Sequence, residues 1–302
     1  MWYAIVAVFI ILIIMFAFMQ IAFSIVIPSK KSIVKTREIE KEKDSELIAF
    51  YDELMAKTTT FKSRYNYDIA MYYFLQKENT KKFVVIAHGH TYTHFGSIKY
   101  AKMMFEEGFN VIIYDQRYHG ASGGNNTTLG YFEKYDLYDI ITEIYNEFGT
   151  DIFLGTYGES MGAATILLEQ EIDERVKFCI SDCGYNDFKK FLFERLSKYH
   201  LPKLSFYFIN FFVKLIAGFS LEDVSPIKAI KESKIPIMFI HGKQDKFIEY
   251  HHSVEMYEAY NSSKKLFIAD NNATHAYSYF SDKEKYVENV KTFLKEYVYD
   301  KI

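Results

Sequence analysis

Cysteine is nearly missing from this chain, which has only Cys179 and Cys183 among 302 residues. Two thiols cannot form the network of bridges that holds small secreted domains together, so we expect two buried free cysteines instead. Proline is also scarce, with four residues, and no long Pro/Gly linker or internal repeat divides the chain. Beyond the N-terminal segment, about 270 residues therefore predict one large α/β domain.

The chain also lacks an excess of basic residues. Its 36 Lys and Arg are outnumbered by 39 Asp and Glu, which gives a net charge of -3 at pH 7. Nucleic-acid-binding proteins need positive surfaces that displace the counterions of the phosphates. We therefore expect no nucleic-acid partner.

Charged residues are absent from residues 1–27, where Ile, Val, Leu, Phe, Met and Ala dominate. About 20 such residues suffice to cross the roughly 30 Å hydrocarbon core of a bilayer, so we predict a transmembrane anchor over residues 1–28. The segment has no basic start and no A-x-A cleavage site. An uncleaved anchor is therefore favoured over a signal peptide, and a buried soluble helix is favoured less still.

All of the charge beside this segment lies on its C-terminal side, beginning with Lys30 and Lys31. The positive-inside rule then predicts a single-pass cell-membrane protein whose C-terminal domain lies in the cytoplasm. Acidic residues alternate with the later basic ones, which is also typical of a solvated helical linker, so the extracellular side stays open. We assign residues 29–60 to a juxtamembrane linker and helix, and residues 61–302 to the folded domain.

Short apolar runs alternate with amphipathic segments along the folded domain. Seven runs predict buried strands, at residues 69–75, 82–88, 110–115, 151–155, 176–182, 235–242 and 264–270. Continuous apolar strands separated by helices imply a parallel sheet with helices on both faces. An aromatic-rich stretch with helical spacing at about 186–225 interrupts the alternation, and we predict that it forms a helical cap.

The sequence GESMG places Ser160 between two glycines, after a predicted strand and before a predicted helix. A strand that turns sharply into a helix brings backbone atoms close together, and glycine at positions 158 and 162 avoids the clash that a Cβ would cause. Such a turn projects the serine hydroxyl above the sheet. The motif in this context predicts a nucleophile rather than a chance turn.

A serine hydroxyl becomes a nucleophile when a base lies within hydrogen-bond distance and a third group orients that base. His275 lies in the loop after the last predicted strand, so we predict that it is the base. Asp245 follows the strand at 235–242 and is the favoured acid. Asp270, on the same loop as His275, is the alternative acid.

Attack on a carbonyl produces an oxyanion, which two preorganised N–H groups stabilise. We predict that the backbone amides of Met161 and His90 supply them, with the amide of Tyr92 as the less favoured choice for the second. His88, His90 and His94 could instead be metal ligands, but their spacing matches no known helical zinc pair, and no carboxylate or cysteine is evidently matched to them. We expect no metal and no other cofactor.

Six segments of the chain, in order, are similar to those of the α/β-hydrolase superfamily over nearly all of residues 65–300. They are VVIAHGHT, YDQRYHGAS, GESMGAA, ISDCGY, IPIMFIHGKQD and ATHAYSY. The likeness is greatest to the membrane-anchored bacterial hydrolases of the lysophospholipase-like and serine-aminopeptidase-like branch. This resemblance implies the α/β-hydrolase fold, with a mostly parallel eight-stranded sheet. It also implies the order nucleophile, acid, base as Ser160, Asp245 and His275, without a nucleotide or a metal.

These features predict a serine hydrolase of the carboxylesterase or lipase-like class that cleaves carboxylic esters through an acyl-enzyme. The aromatic cap favours small-molecule esters with apolar or lipid-like acyl groups. A serine aminopeptidase or acyl-peptide hydrolase stays open, since Glu159, Glu194 or Glu222 could hold the amine of a peptide substrate. A catalytically silent, membrane-tethered binding protein on the same scaffold is the alternative of another class, which the intact elbow, acid and base disfavour.

Overall fold

The structure, a computed structural model, describes residues 2–270 and 272–301. Met1 of the predicted anchor, Asn271 of the predicted base loop and Ile302 of the folded domain lie outside the described residues. Within these ranges the strands are β1 (Lys57–Lys62), β2 (Asp68–Phe74), β3 (Lys82–Ala87), β4 (Asn110–Tyr114), β5 (Phe153–Glu159), β6 (Cys179–Asp182), β7 (Ile237–Gly242) and β8 (Lys264–Ala269).

The eight strands form one sheet in the order β1-β2-β4-β3-β5-β6-β7-β8. β2 pairs antiparallel with both β1 and β4. All other neighbours, from β4 across to β8, are parallel. The prediction of a mostly parallel eight-stranded sheet is therefore confirmed.

Helices cover both faces of the sheet and also form the N-terminal segment and the cap. They are α1 (Trp2–Val26), α2 (Ile33–Lys43), α3 (Ser45–Leu54), α4 (Ile98–Glu106), α5 (Glu133–Phe148), α6 (Met161–Glu169), α7 (Phe188–Lys198), α8 (Ser205–Ala217), α9 (Pro226–Ala229), α10 (His251–Ala259), α11 (Ser278–Ser281) and α12 (Lys283–Tyr297). Successive side chains of a strand point to opposite faces. Accordingly, Val84 and Ile86 of β3 join the hydrophobic cluster under α3, α4 and α12, whereas Val85 and Ala87 join the cluster under α5 and α6.

The sequence patterns missed β1. Its sequence KTTTFK alternates between half-buried and exposed positions and contains no continuous apolar run. A strand at the edge of a sheet that pairs only with β2 needs little burial, so its hydrophobic signal is weak. Both cysteines are buried and free, as the composition predicted.

Residues 29–60, assigned from the sequence to a linker and helix, form α2, α3 and the beginning of β1. Thr36 and Glu40 of α2 are almost completely buried, and Leu47 and Ile48 of α3 belong to the hydrophobic core of one sheet face. Since these side chains pack against the same domain as the strands, this segment is structurally part of that domain.

The cap contains α7 and α8, within the stretch predicted for it, and builds a third hydrophobic cluster above the sheet. Ala22 and Val26 of α1 are completely buried in this cluster. An 18-residue window of the 25-residue helix α1 has a mean hydropathy of 3.0, so this helix is long and apolar enough to cross a membrane. Residues 2–14 are exposed on every side, whereas the second half of the helix packs against the cap.

Candidate active site

Ser160 occupies the sharp turn between β5 and α6. Its backbone has φ of 56° and ψ of -115°, a conformation that L-residues rarely adopt. A Cβ on Gly158 would lie 2.3 Å from the carbonyl oxygen of Gly162, and a Cβ on Gly162 would lie 2.1 Å from that of Ala87. Because backbone atoms cannot move aside easily, only glycine fits at either position, as the sequence argument expected.

The structure brings together the three side chains predicted as nucleophile, acid and base. Ser160 Oγ lies 3.0 Å from Nε2 of His275, and Nδ1 of His275 lies 2.7 Å from Oδ2 of Asp245. Asp270, the alternative acid, is exposed and pairs with Lys243 at 3.2 Å. The geometry therefore selects Asp245 as the carboxylate beside the imidazole.

The carboxylate of Asp245 is buried and accepts four hydrogen bonds. Oδ1 accepts from the backbone amides of Phe247 at 2.8 Å and Ile248 at 3.0 Å. Oδ2 faces His275 and also Nε2 of His241 at 3.2 Å. Burial alone would raise the pKa of Asp245, but the hydrogen bonds with His241 and His275 outweigh it and hold the pKa well below its usual range. The group therefore carries a negative charge at neutral pH.

His241 is a part of this arrangement that the sequence patterns did not select. It is completely buried at the end of β7, and its Nδ1 lies 2.8 Å from the hydroxyl of Ser253. Its position in the strand that leads to Asp245 was a usable signal, because the carboxyl ends of parallel strands converge.

The amides proposed for the oxyanion lie in the two loops that meet at Ser160. Among the described residues, no hydrogen bond engages the amide of Met161 or of His90. The amide of Tyr92, the less favoured choice, donates to the carbonyl oxygen of Gly89 at 3.4 Å. Both unengaged amides are therefore available to a ligand, which agrees with their predicted role.

The rings of the three histidines considered as metal ligands have separate partners. His88 accepts from the amide of Gln116 at 3.0 Å, and His94 Nδ1 lies 3.0 Å from Asp115. The ring of His90 contacts the carbonyl oxygen of Ile25, in the last turn of α1, at 3.2 Å. Each ring therefore has its own protein partner, although Nε2 of His94 has none among the described residues.

An apolar chamber of about 430 Å³ opens on one side of Ser160. The end of α1, the cap and the loop after β7 form its walls, with His90 near Ser160. Its apolar lining includes Ile21, Ile25, Met161, Phe188, Leu192 and Ile248. A chamber of this size and character suits an acyl chain.

A polar chamber of about 410 Å³ lies on the other side of Ser160. Lys31 and the α2 residues Glu40 and Lys43 line it, together with Tyr92. Glu40 accepts hydrogen bonds from Lys43 and from the Tyr92 hydroxyl, both at 2.7 Å. The segment at residues 29–60 therefore contributes directly to the site, which the sequence did not indicate.

A buried ion pair lies beneath the nucleophile. Nζ of Lys99 is 2.5 Å from Oε2 of Glu159, and the Tyr100 hydroxyl is 2.8 Å from the same oxygen. Burial opposes both charges, but each stabilises the other, so the pKa of Glu159 is lowered and that of Lys99 is raised. A lysine on the buried face of α4, between Ile98 and Tyr100, was the available sequence signal.

The other two carboxylates considered for a substrate amine lie elsewhere. Glu194 is 3.0 Å from Nε2 of His252, and Glu222 is 2.6 Å from Nζ of Lys189. Neither Glu194 nor Glu222 lines either chamber beside Ser160. Glu159 does line the polar chamber, but Lys99 already neutralises it.

Known proteins resemble this chain in both sequence and structure. A family model described as serine aminopeptidase, S33, matches residues 78–177, and one described as serine hydrolase (FSH1) matches residues 139–275. The uncharacterized protein YqkD of Bacillus subtilis (strain 168) is 34% identical over 262 residues, which cover 85% of each chain.

Among solved structures, the esterase Pf2001 of Pyrococcus furiosus has a TM-score of 0.66 and 21% identity, over 84% of this chain and 95% of that chain. Est1E from Butyrivibrio proteoclasticus, with ferulic acid bound, has a TM-score of 0.59 and 16% identity, over 80% of this chain and 99% of that chain. At these identities the two structures establish a shared fold and nothing finer.

Proposed function

Since the chain belongs to the α/β-hydrolase superfamily, we propose that this serine hydrolase cleaves carboxylic esters through an acyl-enzyme on Ser160. His275 takes the proton of the Ser160 hydroxyl as the hydroxyl attacks the carbonyl, and then gives the proton to the leaving alcohol. Water hydrolyses the acyl-enzyme by the same route in reverse. The observation that carries this proposal is the continuous hydrogen-bonded chain Ser160–His275–Asp245.

The remaining groups of the site orient the imidazole and stabilise the charges that form in this mechanism. Asp245, ionised at neutral pH, keeps the proton of His275 on Nδ1 and stabilises the imidazolium that forms during attack. The amides of His90 and Met161 bind the oxyanion, and each is expected to contribute about 3 kcal/mol to the transition state.

The two chambers support an amphiphilic ester as substrate. The apolar chamber takes the acyl chain, and the polar chamber, with Lys31, Lys43 and Tyr92, takes the alcohol part. Ser160 lines both, so the carbonyl of such an ester would lie at their junction. We therefore propose a carboxylesterase or lipase-like enzyme for apolar or lipid-like acyl groups.

A substrate panel tests this function. The full-length protein in detergent is given p-nitrophenyl esters of two to twelve acyl carbons and, in parallel, aminoacyl-p-nitroanilides. We expect ester hydrolysis with kcat/KM at least 100-fold above that of any anilide, because both glutamates that line the polar chamber, Glu40 and Glu159, are already paired with a lysine. Higher rates on the anilides would favour the aminopeptidase that one family model describes.

We also propose that α1 anchors the enzyme as a single-pass protein with the catalytic domain in the cytoplasm. The basic residues that follow α1 support this orientation. Protease added to intact cells is then expected to leave the domain whole, and protease added after permeabilisation is expected to digest it. Digestion from outside would place the domain on the extracellular side.

A further inference from the structure

An apolar stripe covers the outer face of the cap helix α8. Leu204, Tyr207, Phe208, Phe211 and Leu215 follow the three-and-four spacing of one helix face, and all are exposed. Leu215 is 67% and Phe211 is 51% exposed. So many large apolar side chains on one face indicate a surface that has a partner other than water.

Helix α1 packs beside this stripe. The rings of Phe18 and Phe208 are stacked, with centroids 5.4 Å apart and planes within 4° of each other. Ala22 and Val26 are buried further along the same contact, and Ile25 is held by the ring of His90. The second half of α1 is therefore integrated into the domain and into the wall of the site, as expected of an anchor that is retained.

The length of α1 determines how deep α8 lies if α1 crosses the bilayer. Its freely exposed part, residues 2–14, gives about 20 Å of helix, at about 1.5 Å per residue. The hydrocarbon core is about 30 Å thick. The remaining ~10 Å must come from about seven further residues, which include Phe18 and Ile21 and pack on the cap. The level of Phe208 therefore lies inside the hydrocarbon core.

The apolar chamber lies between α1 and the cap helix α7. Ile21, Ser24 and Ile25 of α1 form one wall, and Tyr199 and Leu201, at the exposed link between α7 and α8, lie at another. Tyr199 is 64% and Leu201 is 37% exposed. Because these two lining residues are exposed, the chamber reaches the protein surface beside this link.

We propose that α8 and the second half of α1 are immersed in the membrane leaflet next to the catalytic domain, and that the apolar chamber opens into that leaflet. The ester then reaches Ser160 from the bilayer, acyl chain first, while the polar chamber built by Lys31 and α2 stays at the headgroup level. This inference rests on the proposed function and narrows its substrate to membrane-dissolved acyl esters.

Depth-dependent fluorescence tests the immersion without any need for catalysis. An NBD probe is attached to the full chain at a cysteine introduced by Phe211→Cys or Leu215→Cys, and the labelled protein is reconstituted in phosphatidylcholine vesicles. Cys179 and Cys183 are buried and do not compete for the label. The control is Lys295→Cys near the end of α12, an exposed position that lines neither chamber beside Ser160. We expect blue-shifted emission, quenched at least two-fold by doxyl-labelled lipid, at 211 and 215 only.

Two other emission patterns would overturn the immersion. Emission typical of water at 211 and 215 would show that the stripe is solvated. Blue-shifted emission that doxyl lipid does not quench, and that grows with the protein-to-lipid ratio, would show that a second copy covers the stripe.

Activity tests the route of the substrate. Phe211→Glu and Leu215→Glu are expected to lower hydrolysis of a long-chain acyl ester in vesicles at least ten-fold and to leave hydrolysis of soluble p-nitrophenyl acetate unchanged. Lys295→Glu should change neither rate. Equal rates on the vesicle ester for all variants would refute access through the leaflet. A wild-type protein that fails on p-nitrophenyl acetate would contradict the proposed function instead, and the fluorescence result would be unaffected.

Discussion

Replacing Ser160 with alanine is expected to lower kcat for p-nitrophenyl esters by about 10⁵-fold, because the variant loses the atom that forms the acyl-enzyme. The substitution removes only one oxygen atom and keeps a Cβ at the strained turn, so the backbone cost at φ 56° is the same in both proteins. The thermal unfolding temperature should therefore remain within a few degrees of that of the wild type. Initial-rate kinetics and a thermal unfolding curve measure the two quantities.

A fluorophosphonate probe gives an independent readout of the same change. It should label the wild type covalently and fail to label Ser160→Ala. The matched control is Ser278→Ala, since Ser278 is also buried and its hydroxyl has no hydrogen-bond partner among the described residues. This control should keep full labelling and full activity. Folded wild-type protein that takes no label would favour the silent binding protein instead.

The local parts of the site could be read from the sequence because each depends on a short pattern. The turn at Ser160 requires small residues at two fixed positions. A Cβ added to either glycine would collide with backbone atoms, which explains the requirement. Strand ends are also local signals, and in a parallel sheet they meet at one edge. Those two facts together are why the loops of Ser160, Asp245 and His275 converge.

The walls of the site could not be read in the same way. Helix α2, with its alternating charges, has the composition of a solvated helix, yet Thr36 and Glu40 are buried against the domain. Oε1 of Glu40 accepts a hydrogen bond from Tyr92, 52 positions away in the chain, so no local pattern indicates the contact. The same holds for Lys99, whose partner Glu159 lies on a different element. Polar burial depends on distant partners, which periodicity does not reveal.

The packing of α1 could not be predicted for a related reason. A helix of 25 residues without a charged side chain is typical of a membrane span, and only Gln20 and Ser24, both in the second half, distinguish that half from residues 2–14 by composition. The partner surface makes the distinction clear, through the buried environment of Ala22 and Val26. The sequence therefore predicts an anchor but does not indicate that its second half forms a wall of the apolar chamber.

Replacing Asp245 with asparagine is expected to lower kcat by about 10⁴-fold at pH 7 with little change in KM. Oδ1 of Asp245 accepts from two backbone amides, so the oxygen of an asparagine must stay there and its NH₂ group must take the place of Oδ2. That NH₂ would face Nδ1 of His275. The imidazole can accept this hydrogen bond only with its own proton on Nε2, and it then cannot take the proton of Ser160. Initial-rate kinetics on a short-chain ester measure the loss.

Asp270→Asn is the matched control, because it makes the same chemical change in the exposed carboxylate that pairs with Lys243. It should retain wild-type kcat, whereas an equal loss in both variants would contradict the assignment of the acid.

The stability of the folded protein should depend on the negative charge of Asp245. The lowered pKa of Asp245 contributes stability that is present above the unfolded pKa of about 3.9 and is lost as the pH falls through the folded pKa. The Asp245→Asn variant should therefore unfold at a lower temperature than the wild type at pH 7, and the gap should narrow as the pH falls below about 4. If the difference in unfolding temperature did not change with pH, the stabilisation by Asp245 would come from its shape and not from its buried charge.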